Sequence, residues 1–308
     1  MDRPGMDRFL TCVVRRSERD SIIRIGALIL IMIVVPVFAI LLTLDILWVY
    51  NRFIADPTDV IELPNFIIEH MDDFVGAHLM EYTIGTFILY LIFNTYLNHC
   101  KRDHEWMESL IEYVDSYGRD TSVMRRIRNE ADVTRTRNVT KGFLIWFIIV
   151  LFLCMMQALF ISLRDMQPDL AVMVINILIL VTILQLSFMS IYIYIHIYRH
   201  TKLQHEFAES FKEQMSDEFP KLETVGELEH QAKLWQFLVL MAVTLGLYSI
   251  ISALWSIHLM NDHIRDEWEY EEMLLRSMAA HEGAIGVEKV FSDKPKTFIE
   301  KAWMVFTR

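Results

Sequence analysis

Helix breakers are scarce in this chain, with 10 glycines and 7 prolines in 308 residues. Between three of its apolar runs and the polar stretches that follow them there is neither, so a helix begun in one continues into the other. Cysteine is scarcer still. Cys12, Cys100 and Cys154 are scattered without the spacing of a metal or redox motif, which excludes a disulfide-stapled secreted fold. Positive charge is in deficit too. Twenty-nine Lys and Arg against 40 Asp and Glu leave a formal net charge of −11, which argues against nucleic-acid binding. Catalytic signatures are missing as well: there is no glycine-rich phosphate loop, no H-E-x-x-H, no G-x-S-x-G and no C-x-x-C.

Apolar residues are abundant, at 54% of the chain. They gather into runs near 25–49, 77–98, 142–163, 170–198 and 234–260. A helix rising about 1.5 Å per residue crosses about 30 Å of hydrocarbon in roughly 20 residues. The composition therefore predicts an all-α polytopic helical membrane protein of about five transmembrane helices, at 24–50, 77–98, 141–163, 170–198 and 234–260. The first run has no small-residue cleavage site and is expected to stay. Lys and Arg set the orientation. The basic N-terminus, 1–23, and the segment 99–140, with Lys101, Arg102, Arg119, Arg125, Arg126 and Arg128, are expected on the cytoplasmic side of a cell membrane. The acidic stretch 51–76 is expected outside. The last run either crosses or breaks near Thr244-Leu245-Gly246 into a re-entrant hairpin, leaving open the side of the charged tail, 261–308.

The polar segments have helical periodicity of their own. Leu203, Phe207, Phe211, Met215 and Phe219 recur every four residues in 199–233; Trp106, Leu110, Tyr113 and Tyr117 form a similar stripe, and Ile264, Trp268 and Leu275 a sparser one. Long helical extensions packed into a cytoplasmic bundle are the expected outcome. A repeat emerges when these places are overlaid. Thr83-Ile84-Gly85-Thr86-Phe87 leads to His104-Glu105-Trp106, Leu184-Gln185-Leu186-Ser187-Phe188 to His205-Glu206-Phe207, and Thr244-Leu245-Gly246-Leu247-Tyr248 to Asp266-Glu267-Trp268. The last of these, followed by Trp255 and then polar helix over about 234–268, resembles the T-L-G-[ILV]-Y…W core of an uncharacterised family of small prokaryotic membrane proteins. That resemblance implies membrane residence and no activity.

Three histidine pairs share the spacing H-x4-H: His99 with His104, His200 with His205, and His258 with His263. Membrane desaturases hold two irons with histidine boxes, but those contain His-His dipeptides and this chain has none. Residues five apart on a helix also point about 140° away from each other, so one pair does not reach one metal. Spacing by four does share a face. His104, Glu108 and Glu112, then His205, Glu209 and Glu213, then His263, Glu267 and Glu271 are three H-x3-E-x3-E trios, and imidazole with carboxylate from three helices suits zinc, iron or manganese. The candidate metal ligands are therefore His104, Glu108, His205, Glu209, His263 and Glu267. The competing reading is a water-exposed charged face, with no cofactor.

Charges inside apolar runs are the other lead, because burying one is expensive. Asp45, Glu81 and Arg164 fall near the outer ends of their runs and are the candidate transport residues; the alternative is that they anchor at the headgroups. Three functions remain in view. The first is a non-enzymatic structural or assembly subunit, a homo-oligomer or a partner of other membrane subunits through its helices. The second is a small channel or transporter using the acidic residues. The third is a membrane-embedded metal enzyme using the His/Glu trios.

Overall fold

The computed structural model describes residues 4–23, 71–163, 168–225, 234–244, 248–282, 296–297 and 300. It is mostly helical. Four long helices dominate: α3 (Met71–Asp115), α4 (Ser122–Leu163), α5 (Pro168–Gln214) and α7 (Tyr248–Glu282), with the short α6 (Leu234–Val243) before the last. An N-terminal arm of α1 (Met6–Val14), α2 (Arg16–Arg19) and β1 (Ser21–Ile22) lies against them. β1 pairs in parallel with β2 (Lys296–Thr297), Ser21 opposite Lys296 and Ile22 opposite Thr297.

The chain reverses between α3 and α4 at Gly118, whose φ of 68° suits a residue without a Cβ. Asp120 starts the new helix by accepting the Ser122 amide hydrogen bond at 2.9 Å. The returning α4 is tied to its neighbours by ion pairs, Arg128 to Glu108 at 3.0 Å and Glu130 to Arg199 at 2.8 Å. α5 then runs back beside α3.

Helices α3, α5 and α7 lie parallel and in register. Trp106 packs on Phe207 with ring centroids 5.5 Å apart and on Tyr270 at 6.2 Å. One turn further along are Leu110, Phe211 and Leu274, and a turn beyond those Val114, Met215 and Met278, all fully buried. In the opposite direction Tyr96, Ile197 and Met260 form another layer. Each layer draws one side chain from each helix. The apolar stripes expected along 99–140 and 199–233 are the interior of this bundle, Phe207, Phe211, Met215 and Phe219 packing with Trp106, Leu110, Tyr113 and Leu275.

Here the expectation of a polytopic membrane fold is overturned. Among the described residues no helix is long and apolar enough to cross a membrane. Among the described side chains, Ile92 and Phe93 of α3, Ile193 and Ile197 of α5 and Ile257 and Met260 of α7 pack in one cluster, and the same helices carry buried Thr95, His99, Arg102, Thr201, Gln204, Ser256 and Asn261. The run 234–260 is not one helix. α6 has 10 residues, about 15 Å of rise, and ends at Val243. Thr244 hydrogen bonds back to the Leu240 carbonyl at 2.7 Å, and its hydroxyl accepts from the Tyr248 amide at 3.0 Å, closing one helix and opening the next. The transmembrane, multi-pass and cell-membrane assignments lose their support with this finding. The run 25–49 lies outside the described residues.

The arm fills the side of the bundle between α3 and α7. Met6, Phe9 and Val13 enter the main core cluster. Gly5 permits the approach: it has φ 88°, and a Cβ there would lie 2.6 Å from the Tyr113 amide nitrogen.

Candidate metal centre

The same register that stacks Trp106, Phe207 and Tyr270 places a histidine seven residues before each of them. His99, His200 and His263 meet in one layer, with ring centroids 5.2 Å, 5.2 Å and 5.3 Å apart and the rings nearly perpendicular to one another. Each offers a nitrogen within 4.8 Å of the other two. One turn along, at the fourth residue after each histidine, stand Asp103, Gln204 and Glu267. All six side chains are buried.

The pattern H-x3-[DQE]-x2-[WFY] is thus repeated on three parallel helices. It explains which histidine of each H-x4-H pair faces inward. The inner ones are the first members of two pairs, His99 and His200, and the second member of the third, His263.

The partners fix the orientation of the rings. Asp20 Oδ1 accepts from His99 Nδ1 at 3.1 Å, which turns the ring's Nε2 toward the centre. That Nε2 faces Glu267 Oε2 at 3.2 Å and Asp103 Oδ2 at 3.4 Å. His200 Nδ1 lies 3.7 Å from Cys100 Sγ, and its Nε2 is 2.9 Å from the same Asp103 oxygen. His263 Nε2 is buried with no hydrogen-bond partner among the described residues. Burial, with the neighbouring His200 and His99, pushes the His263 imidazole well below its ordinary value, so it is neutral and has a free lone pair. Electron-rich atoms gathered this closely repel unless a proton or a cation lies among them.

Charge bookkeeping around the layer points the same way. Four carboxylates, Asp20, Asp103, Glu267 and Glu271, are fully buried, and among the described residues two buried guanidiniums, Arg16 and Arg102, oppose them. Arg102 touches all four: Asp20 through Nε at 3.0 Å, Glu271 at 2.5 Å, Glu267 at 2.8 Å and Asp103 at 3.3 Å. Arg16 stacks on Trp268, 4.2 Å from the ring centre, donates to the Trp268 carbonyl at 3.0 Å and pairs with Glu272. Counted without the imidazoles, the four carboxylates exceed the two guanidiniums by two, a difference that protons within the cluster or one divalent cation would fill.

The carboxylates divide accordingly. Burial would raise Asp103, but His99, His200 and Arg102 hold it well below the usual carboxylate range. Burial likewise works against Asp20, and Arg102 and His99 outweigh it. For Glu267 burial wins, aided by Asp103 and Glu271, and it is pushed well up despite Arg102. Burial takes Glu271 to about 7 against the pull of Arg102 and Arg16. The two glutamates are therefore the proton holders of the cluster when no cation is bound.

A zinc–imidazole bond of about 2.0–2.1 Å gives tetrahedral ligand–ligand edges of about 3.3 Å. Asp103 Oδ2 is near that distance from both His99 and His200. The donors fall into two triads that share His99, the three imidazoles and His99 with Asp103 and Glu267, while Asp20 and Cys100 stand behind the rings of His99 and His200.

Of the candidate metal ligands His104, Glu108, His205, Glu209, His263 and Glu267, the last two lie in this centre, with Glu271 of the same trio beside them. His104 and Glu108 are partly exposed, and Glu108 pairs with Arg128 at 3.0 Å. His205 Nδ1 donates to the Val225 carbonyl at 2.7 Å, while Glu209 lies on an open groove with Arg126, Lys212 and Glu213. The first two trios match each other in register, but the third is displaced by five residues, so the three do not converge. Asp45 and Arg164 lie outside the described residues; Glu81 falls within α3, its side chain outside them. His99, Asp103, His200, Arg102 and Asp20 were missed. The signal for two of them, His99 and His200, is present in the H-x4-H pairs, and aligning Trp106 and Phe207 with Tyr270 instead of Trp268 brings them into one layer with His263.

Comparison with family models, with characterised proteins and with solved structures gave no match to this chain.

Proposed function

We propose that this chain is a metal-binding helical-bundle protein in which His99, His200 and His263 hold one divalent ion of the zinc, iron or manganese class, with Asp103 as fourth donor. The observation that carries the reading is the convergence of three buried imidazoles from three helices beside four buried carboxylates. Imidazole combined with carboxylate suits these metals, whereas an all-oxygen site would suit magnesium or calcium. A centre closed on all sides matches a structural ion, because catalytic sites keep a position open for water or substrate. The role assigned to the ion is to lock α3, α5 and α7 in register, in a protein without catalytic turnover.

The test is elemental analysis of full-length protein purified without chelator and without a histidine tag. About one equivalent of zinc, iron or manganese per chain is expected, and its loss when all three histidines are replaced by alanine. Wild-type protein that stays below about a tenth of an equivalent even after incubation with each metal, while remaining folded, overturns the reading.

A further inference from the structure

We infer that the N-terminal arm is the closing element of the metal centre, so that arm docking and metal binding are coupled through Asp20. The inference rests on the metal-binding reading above. Asp20, the residue between α2 and β1, is fully buried and reaches three groups of the bundle at once. Its Oδ1 takes the His99 Nδ1 hydrogen, and its Oδ2 receives Trp268 Nε1 at 2.6 Å and forms an ion pair with Arg102, whose Nε lies at 3.0 Å. A carboxylate behind a ligating imidazole fixes its tautomer and raises its basicity, and here that carboxylate comes from a segment separate from the three ligand-bearing helices.

The arm is tied down on both sides of Asp20. Before it, Arg16 binds the Trp268 carbonyl and Glu272 on α7. After it, Ser21 Oγ lies 3.3 Å from Thr95 Oγ1 on α3, and Asn261 of α7 clamps Ile23 by both backbone groups, receiving from its amide at 3.0 Å and donating to its carbonyl at 2.8 Å. The arm therefore bridges α3 and α7 at the level of the histidine layer. A cation held by His99 strengthens the His99 to Asp20 hydrogen bond, because the ring it polarises is the better donor. Linkage then requires the reverse: a docked arm tightens the ion.

Two measurements on the full chain test this. Hydrogen exchange of peptides from residues 6–22 is followed with chelator and with added zinc; zinc affinity is measured by chelator competition for the wild type, Asp20→Asn and Val13→Ala. Val13 is buried in the main core cluster and loosens the arm without altering a group of the centre. Zinc is expected to slow exchange in the arm, Asp20→Asn to weaken zinc about 10–100-fold at unchanged stoichiometry, and Val13→Ala to weaken it severalfold. A wild type that binds zinc while arm exchange is unchanged and Val13→Ala has wild-type affinity overturns the coupling and leaves the centre standing, whatever Asp20→Asn does. A wild type that binds no zinc, iron or manganese removes the centre itself, and the coupling with it.

Discussion

Asp103 Oδ2 lies 2.9 Å from His200 Nε2 and also receives Gln204 Nε2 at 2.6 Å, so one carboxylate of α3 meets two residues of α5 a single turn apart. The contact pins the register of the two helices at the layer where the three imidazoles meet. It has consequences that can be measured.

The inner and outer histidines should separate cleanly. His263→Gln is expected to weaken zinc by more than the roughly 10–100-fold typical of an outer partner, because it removes a ligand. His104→Ala and His205→Ala should leave affinity unchanged, although His205→Ala costs about 1 kcal/mol for its lost hydrogen bond to Val225. Chelator competition and chemical denaturation read the two effects. Equal losses at inner and outer positions would remove the histidine layer as the binding site.

Glu271 sets a pH dependence of defined sign. Its carboxyl is raised from 4.5 to about 7, chiefly by burial. Between those values the metal-free folded chain binds a proton that the unfolded chain has released, so stability falls as pH rises through that window and levels off above it. A divalent ion replaces protons in the cluster, so stabilisation by zinc should grow over the same window. Thermal unfolding at pH 5 and pH 8, with chelator and with zinc, checks both slopes.

Arg102 is the shared counter-ion of four buried carboxylates, and Arg102→Met should cost about 3–5 kcal/mol or prevent folding. Arg102→Lys keeps the charge but loses the planar fork, and should fall between the variant and the wild type in urea unfolding.

Thiol reactivity should rank by burial. Cys12 and Cys100 are buried, and burial, with Glu105, raises the Cys12 thiol to about 11. At pH 8 only about one in a thousand Cys12 groups is a thiolate, so Cys154, which is partly exposed, should be alkylated first. Mass spectrometry after timed labelling of native protein reads the order. Fast modification of Cys12 would mean that the arm is not docked.

Much of the local structure was legible along the chain. The four-residue recurrence of Leu203, Phe207, Phe211 and Met215, and the absence of helix breakers after three of the apolar runs, announce long helices with one buried stripe. The H-x4-H pairs announce that something on those helices uses histidine. What could not be read was whether the apolar runs face lipid or one another. Ile92, Ile193 and Ile257 have the same hydropathy in either setting, and for these three residues it is their common burial in one cluster that decides it. Average hydropathy over 234–260 does not choose between one helix and a break near Thr244-Leu245-Gly246; in the structure α6 ends at Val243, and Thr244 hydrogen bonds to Leu240 and Tyr248.

The sequence by itself determined helix, stripe and histidine spacing, because each follows from contacts within a turn or two of one chain. Which histidine of each pair turns inward, and that Asp20 from the arm stands behind His99, were decided only by the tertiary structure. Helix register depends on the lengths of the intervening connections. Displacing one helix by five residues turns its inner face through about 140° and exchanges His263 for His258.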